Sequence, residues 1–324
     1  MKKFSINHLS IEVTRKCNMQ PLCLHCMRGN PQDQTIKKEY IDLLLNQTLE
    51  IGELAITGGE PTICIDEIDY IFDKLIENAI PLFSLNLVSN GLIYDERFIK
   101  VIEKYSKLIS ICRRERFKND ILPSFMNVMI GFSLDQYHNH QIVVKKNIEK
   151  YREALYRIAQ VSTVINGDYT RAIGNAKKNN LFAFKPWNRT PERDNESELA
   201  IIDNTHKTAC KLYPNYQFEY PEQVLICCGI ELLSNGNLIK SAIGGWSYDI
   251  IDKPEYQICH VHDDIYSSII DYNKGKISCS QHSELQKRRE LHDIATHSKD
   301  INIALQLEKR QEDNKTNDTY SFKN

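Results

Sequence analysis

A chain of 324 residues, 41% hydrophobic and 26% charged, can hold one large core or a core with a smaller appended unit. Its 41 basic and 43 acidic side chains leave a net charge of −2, so the chain lacks the electrostatic footprint of a non-specific nucleic-acid or anionic-membrane binder. The opening residues, MKKFSINHLSIEV, are too broken by polar side chains for a secretory leader. No stretch reaches the ~20 apolar residues needed to span a bilayer, and a cytoplasmic protein with no nucleic-acid or membrane partner is expected.

In chain order, residues 8–14 (HLSIEVT) predict a first strand that runs straight into Lys16 and Cys17. A cysteine-bearing loop follows, then a helical stretch over 37–50 and a second strand over 53–57 that ends at Gly58 and Gly59. Ile68, Ile71, Leu75 and Ile76 recur at helical spacing within 66–79. A third strand is predicted over 82–88 and closed by Ser89, Asn90 and Gly91, with a helix near 95–107 behind it. Residues 128–134 read as a strand ending at Asp135, 142–157 as a helix, and 159–165 and 181–184 as strands. Strands alternating with helices of ten to fifteen residues imply parallel βαβ units and hence an α/β barrel, complete or partial. The polar stretch 188–206 reads as a linker or surface loop. Residues 207–280 are rich in turn signals, 281–296 predict a helix, and the end from about 308 is polar enough to be disordered.

Ten cysteines in a chain with no export signal point to metal binding or redox chemistry rather than disulfides. Three of them, Cys17, Cys23 and Cys26, fall within ten residues. Three thiolates on a short loop can ligate three irons of a cubane and leave the fourth open. The same residues with His25 or His8 would equally make a zinc site, and the cysteines alone do not choose between the two. A second motif, Ile56-Thr57-Gly58-Gly59-Glu60-Pro61, stands directly after the second strand. Its glycines let backbone approach a ligand closely, Glu60 adds a carboxylate, and Pro61 stiffens the exit.

A cysteine triplet after the first strand and Gly-Gly-Glu-Pro after the second resemble the radical S-adenosylmethionine (radical SAM) superfamily. Val88-Ser89-Asn90-Gly91 and Phe132-Ser133-Leu134-Asp135 are similar to that family's third- and fourth-strand endings, and Arg171–Ala176 is loosely similar to a segment after its fifth strand. The resemblance spans residues 8–185 and implies a partial (β/α)6 TIM-like barrel. It makes Cys17, Cys23 and Cys26 the ligands of one 4Fe–4S cluster, and it gives Gly58, Gly59 and Glu60 the methionyl end of SAM. Pro61, Ser89, Asn90, Ser133 and Asp135 would border the cofactor, and His25 stands where the family usually has an aromatic residue. The implied activity is reductive cleavage of SAM to a 5′-deoxyadenosyl radical that abstracts hydrogen from a substrate. A flavodoxin- or ferredoxin-type donor would supply the electron. One departure is plain: five residues, Asn18–Leu22, separate the first two cysteines where the family usually has three.

Beyond the barrel, Cys210, Cys227, Cys228, Cys259 and Cys279 and the run CCGIELLSNGNLIKS resemble a degenerate SPASM/twitch extension, a cap that in relatives holds auxiliary clusters. Ser241 stands where such a cap would carry a cysteine, and neighbouring Cys227 and Cys228 diverge in extended chain, so an auxiliary cluster is the less favoured reading. The expected division is a core barrel over 1–205, a cap over 206–300 and a polar tail over 301–324. A SPASM-like cap implies a peptide or protein side chain as substrate; a small molecule, or a non-catalytic zinc or iron–sulfur protein, is the alternative. The histidines of Tyr137-His138-Asn139-His140 are expected on the surface rather than as metal ligands, Trp187 and Trp246 in a core or interface rather than lining a substrate cavity, and Cys64 and Cys112 as ordinary buried thiols.

Overall fold

The computed structural model describes residues 3–116, 124–135, 137–138, 140–164, 173–181, 190–203, 224–278, 281–282, 284–285 and 287–289. Arg171, Ala172, Trp187, Cys210, Cys279, most of the 281–296 segment and all of 301–324 lie outside them.

Five parallel strands carry the fold: β1 (Phe4–Thr14), β2 (Thr48–Gly58), β3 (Leu85–Ser89), β4 (Val128–Ser133) and β5 (Gln160–Val164) pair in chain order. The helices α1 (Lys38–Leu45), α2 (Ile65–Glu77), α3 (Glu96–Arg116) and α4 (Gln141–Ala154) make the crossovers. This is the mixed α/β architecture of a partial barrel.

The period of two along each strand divides its side chains between two environments. Leu9, Ile11 and Val13 of β1, Leu54 and Ile56 of β2, and Leu85 and Leu87 of β3 belong to the main core. Ile68, Ile71 and Leu75 of α2 and Phe98, Ile102 and Tyr105 of α3 complete it. The alternate residues, His8 and Ser10, Ala55 and Thr57, Asn86 and Val88, line a cavity inside the sheet.

The sheet also continues on the other side of β1. After α5 (Gly174–Lys178) and α6 (Pro191–Asn195), β6 (Ile201–Asp203) pairs antiparallel with β7 (Val224–Ile226), and β7 runs parallel to Ser5 and Ile6 of β1. β8 (Ile230–Leu232) then runs parallel to β1, with Glu231 opposite Ser10. β9 (Asn237–Lys240) turns back on β8 around Gly236, whose φ of +89° suits a residue without a side chain. The short helices α7 (Ser241–Gly244) and α8 (Tyr248–Ile251), the edge strand β10 (Gln257–His260) and α9 (Ile265–Asn273) finish the described chain.

Several boundaries differ from the sequence expectation. β1 begins at Phe4, not residue 8, because Phe4 and Ile6 are fully buried and β7 covers that end. The helix expected over 37–50 stops at Leu45, and Thr48 already belongs to β2, where the apolar run continues as a long strand. β3 starts at Leu85, Leu82 forming only an isolated bridge to Ile51, and α3 extends to Arg116. The expected 188–206 loop contains α6, seeded by Thr190 accepting from the Arg193 N–H at 3.2 Å, and the edge strand β6. Among the described residues no helix is long and apolar enough to cross a membrane.

Candidate active site

The site begins where β1 and β2 end together. Gly59 N–H donates to the Thr14 carbonyl and Glu60 N–H to that of Lys16, both at 2.8 Å. A side chain at Gly59 would stand 2.8 Å from the Arg15 carbonyl oxygen and closer still to that of Lys16, so the contact requires glycine. The Gly-Gly-Glu turn is therefore stitched to the residues that launch the cysteine loop. Its amides are consumed by that seam.

Glu60 is 1% exposed. One carboxylate oxygen, Oε1, accepts from the Thr62 N–H at 3.0 Å, the Thr62 hydroxyl at 2.6 Å and the Ser89 hydroxyl at 2.8 Å. The other, Oε2, accepts the Asn90 N–H at 2.7 Å. Burial raises the Glu60 carboxyl above its usual range, and these donors act against it. The carboxylate thus ties the end of β2 to the end of β3. The Asn90 side chain carries the connection onward, donating to Asn18 Oδ1 at 2.8 Å and lying 3.9 Å from Cys17 Sγ.

Cys17, Cys23 and Cys26 all line one cavity of about 1160 Å³, together with His25, Gly58, Gly59, Glu60, Ser89, Asn90 and Ser133. Pro61 and Asp135 are buried but are not on its wall. Burial pushes all three thiols up, Cys23 to about 12 with the charges of Cys26 and Cys17 adding to the effect. Ionising such thiols demands a compensating cation, and a thiolate-bound metal is one. Three thiols on one wall can supply three ligands to a cluster or three of the four ligands of a zinc ion.

Asp135 is held from two sides. His138 Nδ1 lies 2.8 Å from Oδ1 and His25 Nε2 lies 3.4 Å from Oδ2. Burial would raise its carboxyl, but the bonds to His138 and His25 win and hold it far below the usual aspartate range. The His25 and His138 rings meet edge to face at 4.8 Å, and Tyr137 lies 5.0 Å from His25. Among the described residues, His25, Asp135 and His138 are the one set of three whose ligand atoms all lie within 4.8 Å of one another. His138 lines the cavity with a side chain only 10% exposed, which corrects the surface expectation; Asp135 draws it in. His140 is exposed, as expected. Trp246 is buried, donating its indole N–H to Asp194 at 2.9 Å. Cys64 and Cys227 are buried, whereas Cys112, Cys228 and Cys259 are half-buried.

Sequence reasoning missed the wall opposite the turn, where Arg28, Glu231, Ser241 and Tyr248 face the same cavity. Arg28 Nη2 donates to Glu231 Oε1 at 2.9 Å. Arg15, 2% exposed, bonds Glu12 at 3.1 Å and both Asp252 oxygens at 2.7 Å. The period-two run His8, Ser10, Glu12 offered one signal, polar side chains alternating with Leu9, Ile11 and Val13.

No family model matches the chain. An uncharacterized protein of Methanocaldococcus jannaschii is 27% identical over 127 residues, which is 38% of this chain and 43% of that protein. The match therefore spans less than half the length of this curated relative. Among solved structures, the chain is similar to anSMEcpe with bound AdoMet and Cp18Cys peptide at 12% identity and a TM-score of 0.47, covering 84% of this chain and 82% of that one. A histidine-tagged form of anSMEcpe with bound AdoMet gives 13% identity and 0.48 over the same shares. SuiB of Streptococcus suis gives 10% and 0.34, over 84% of this chain and 66% of that one.

Proposed function

We propose that this chain is a radical SAM enzyme that acts on a peptide or protein side chain. The observation that carries the reading is the shared cavity wall. The Cys17, Cys23 and Cys26 thiols, on a loop launched by β1, face the same space as the Gly58-Gly59-Glu60 turn and the β3 ending Ser89-Asn90. When bound, a 4Fe–4S cluster and SAM supply one-electron cleavage of the sulfonium to a 5′-deoxyadenosyl radical that takes hydrogen from a substrate.

In this reading Cys17, Cys23 and Cys26 hold three irons and leave the fourth open. Glu60 Oε2, which spends itself on a single N–H, accepts from the amino group of SAM beside Gly58 and Gly59. Ser89 and Asn90 fix that carboxylate and steady Cys17. Pro61 opens the helical turn behind Glu60. Ser133 borders the bound nucleoside, and Asp135 acts through His25 and His138 by locking both rings against the loop. Met19, Met27 and Leu22 help to keep water from the reacting atoms. Residues 224–278 serve as the remnant of a SPASM/twitch-like cap, and a flavodoxin or ferredoxin delivers the electron.

The test is anaerobic reconstitution with iron and sulfide, reduction with dithionite, and mass spectrometry for 5′-deoxyadenosine after SAM is added. Native protein should form the nucleoside and Cys23→Ala should not. Zinc in place of iron, or a loaded cluster that yields no nucleoside under any reductant, would overturn the reading.

A further inference from the structure

The far wall of the cavity is built from side chains that burial ordinarily forbids unless they are paired. Glu231 is 3% exposed, on β8, and among the described residues its hydrogen-bond partner is Arg28, through Oε1. Oε2 has no hydrogen bond to the described residues, and Glu231 lines the cavity. Backbone has been cleared for this carboxylate, because a side chain at Gly244 would overlap it. Arg28 Nη1, Glu12 Oε1 and the Tyr248 hydroxyl are likewise buried without a hydrogen-bond partner among the described residues.

Charge decides what such a wall wants. The buried carboxylates Glu12 and Glu231 meet the guanidiniums of Arg15 and Arg28, and the half-buried Asp252 adds a third carboxylate beside Arg15, which leaves one net negative charge. Of the nearby basic side chains, the Lys240 ammonium is bonded to the Ser197 carbonyl and hydroxyl, and His8, which acts on Glu231 from a distance, leans on Glu53 at 3.5 Å. A wall with one more carboxylate than guanidinium, and with an acceptor oxygen left unbonded on a cavity-lining residue, is complementary to a cation that can donate.

The place also separates this wall from the turn assigned to SAM. Glu231 pairs with Ser10, whereas Gly58 pairs with Thr14, two strands across from β8. Strand spacing puts the two about 10 Å apart across the sheet, and four residues of rise add roughly 13 Å along it. The Glu231 wall thus lies deep in the barrel, at the other end of the cavity from Glu60.

We propose that Glu231, oriented by Arg28, forms a subsite for a cationic amine of the substrate, with the Ser241 hydroxyl as a second polar contact. The inference rests on the radical SAM reading only for the word substrate. An amine entering there gains a charge-assisted bond to Oε2 and neutralises the wall.

The experiment uses the full chain, reconstituted anaerobically and loaded with SAM, and reads binding by saturation-transfer NMR. Three probes are compared: N-acetyl-lysine N-methylamide, the same compound acetylated on its side-chain amine, and n-butylamine. The capped lysine should bind at least tenfold more tightly than its acetylated counterpart, the difference expected of one charged hydrogen bond. Glu231→Gln should abolish that preference. Arg28→Met/Glu231→Met should abolish it as well, with no buried charge left unpaired should the single variant fail to fold. Butylamine binding as well as the capped lysine would assign the subsite to small amines, and weaker binding would assign it to peptide-borne ones. Equal binding of the acetylated probe, no binding of any probe, or a preference that survives both variants would overturn the proposal. Assaying 5′-deoxyadenosine in the same native samples separates the two ideas. An amine preference without the nucleoside sinks the radical SAM reading alone, and the nucleoside without a preference sinks the subsite alone.

Discussion

Gly59→Ala tests whether the Gly-Gly-Glu turn is first of all a clamp on the cysteine loop. The added methyl group would lie 2.8 Å from the Arg15 carbonyl oxygen, where ordinary contact starts at 3.4 Å, so the β1 and β2 ends must part by at least 0.6 Å. The Gly59–Thr14 and Glu60–Lys16 bonds would then stretch from 2.8 Å to 3.4 Å or more, past the useful range. Two lost backbone bonds cost about 2 kcal/mol, and overpacking against backbone adds about 1–3. The gain from a stiffer unfolded chain returns less than about 1 kcal/mol. The net loss is about 2–5 kcal/mol in urea denaturation of the apo protein. Cys17 follows Lys16 directly, so iron bound per folded chain should fall too. Gly52→Ala supplies the control: its methyl would overlap the Asn7 carbonyl oxygen on the same two strands, far from the loop. It should cost similar stability and leave iron loading intact. A Gly59→Ala protein within 0.5 kcal/mol of native, or one that loads iron as Gly52→Ala does, would refute the clamp.

Two further substitutions probe the buried ions. Asp135 has a depressed carboxyl in the folded chain, so its contribution is present above the ordinary aspartate value of 3.8 and is lost as pH falls through the folded one. Asp135→Asn should therefore cost about 1.5–3 kcal/mol at pH 7, the worth of its charged bond to His138, and progressively less below about pH 4; a gap that widens on acidification in denaturant titrations would contradict this. Arg15→Met leaves Glu12, which is fully buried, with Ser234 as its remaining partner at 3.0 Å. The loss should be about 3–5 kcal/mol, partly restored by adding Glu12→Gln, and no recovery in the double variant would mean that Arg15 matters through packing instead.

The parallel half of the fold was legible because each of its strands carries its own signal. Ile-Thr-Gly-Gly-Glu-Pro reads as a strand end whatever surrounds it, and Ile68, Ile71 and Leu75 announce the buried face of α2. The second half carries no such signal. β6, β7 and β8 are three residues each, shorter than one full cycle of any useful pattern, and two of them exist because β1 offers an unpaired edge. His138 was misplaced for a related reason. A histidine beyond a strand end is exposed by default, and only the orientation of Asp135, which accepts from the Tyr137 N–H as well as from His138, turns it inward.

The same edge explains how one cavity comes to have two chemical ends. On β1 the inward residues His8, Ser10 and Glu12 lie one behind another, and whatever pairs beyond β1 must present its own inward residue beside them. β8 does so with Glu231 beside Ser10, and Arg28, only two residues past the last loop cysteine, reaches across to meet it. The loop that sets Cys26 in the cavity therefore also sets the cation that opposes the burial-driven rise of the Glu231 carboxyl. A shift of the loop would move the cysteines and the far wall together. If Gly59→Ala displaces that loop, it should weaken the lysine-probe preference even though position 59 lies at the opposite end of the cavity. Iron loss with an untouched preference would show instead that Arg28 is anchored by Glu231 and Tyr248 alone.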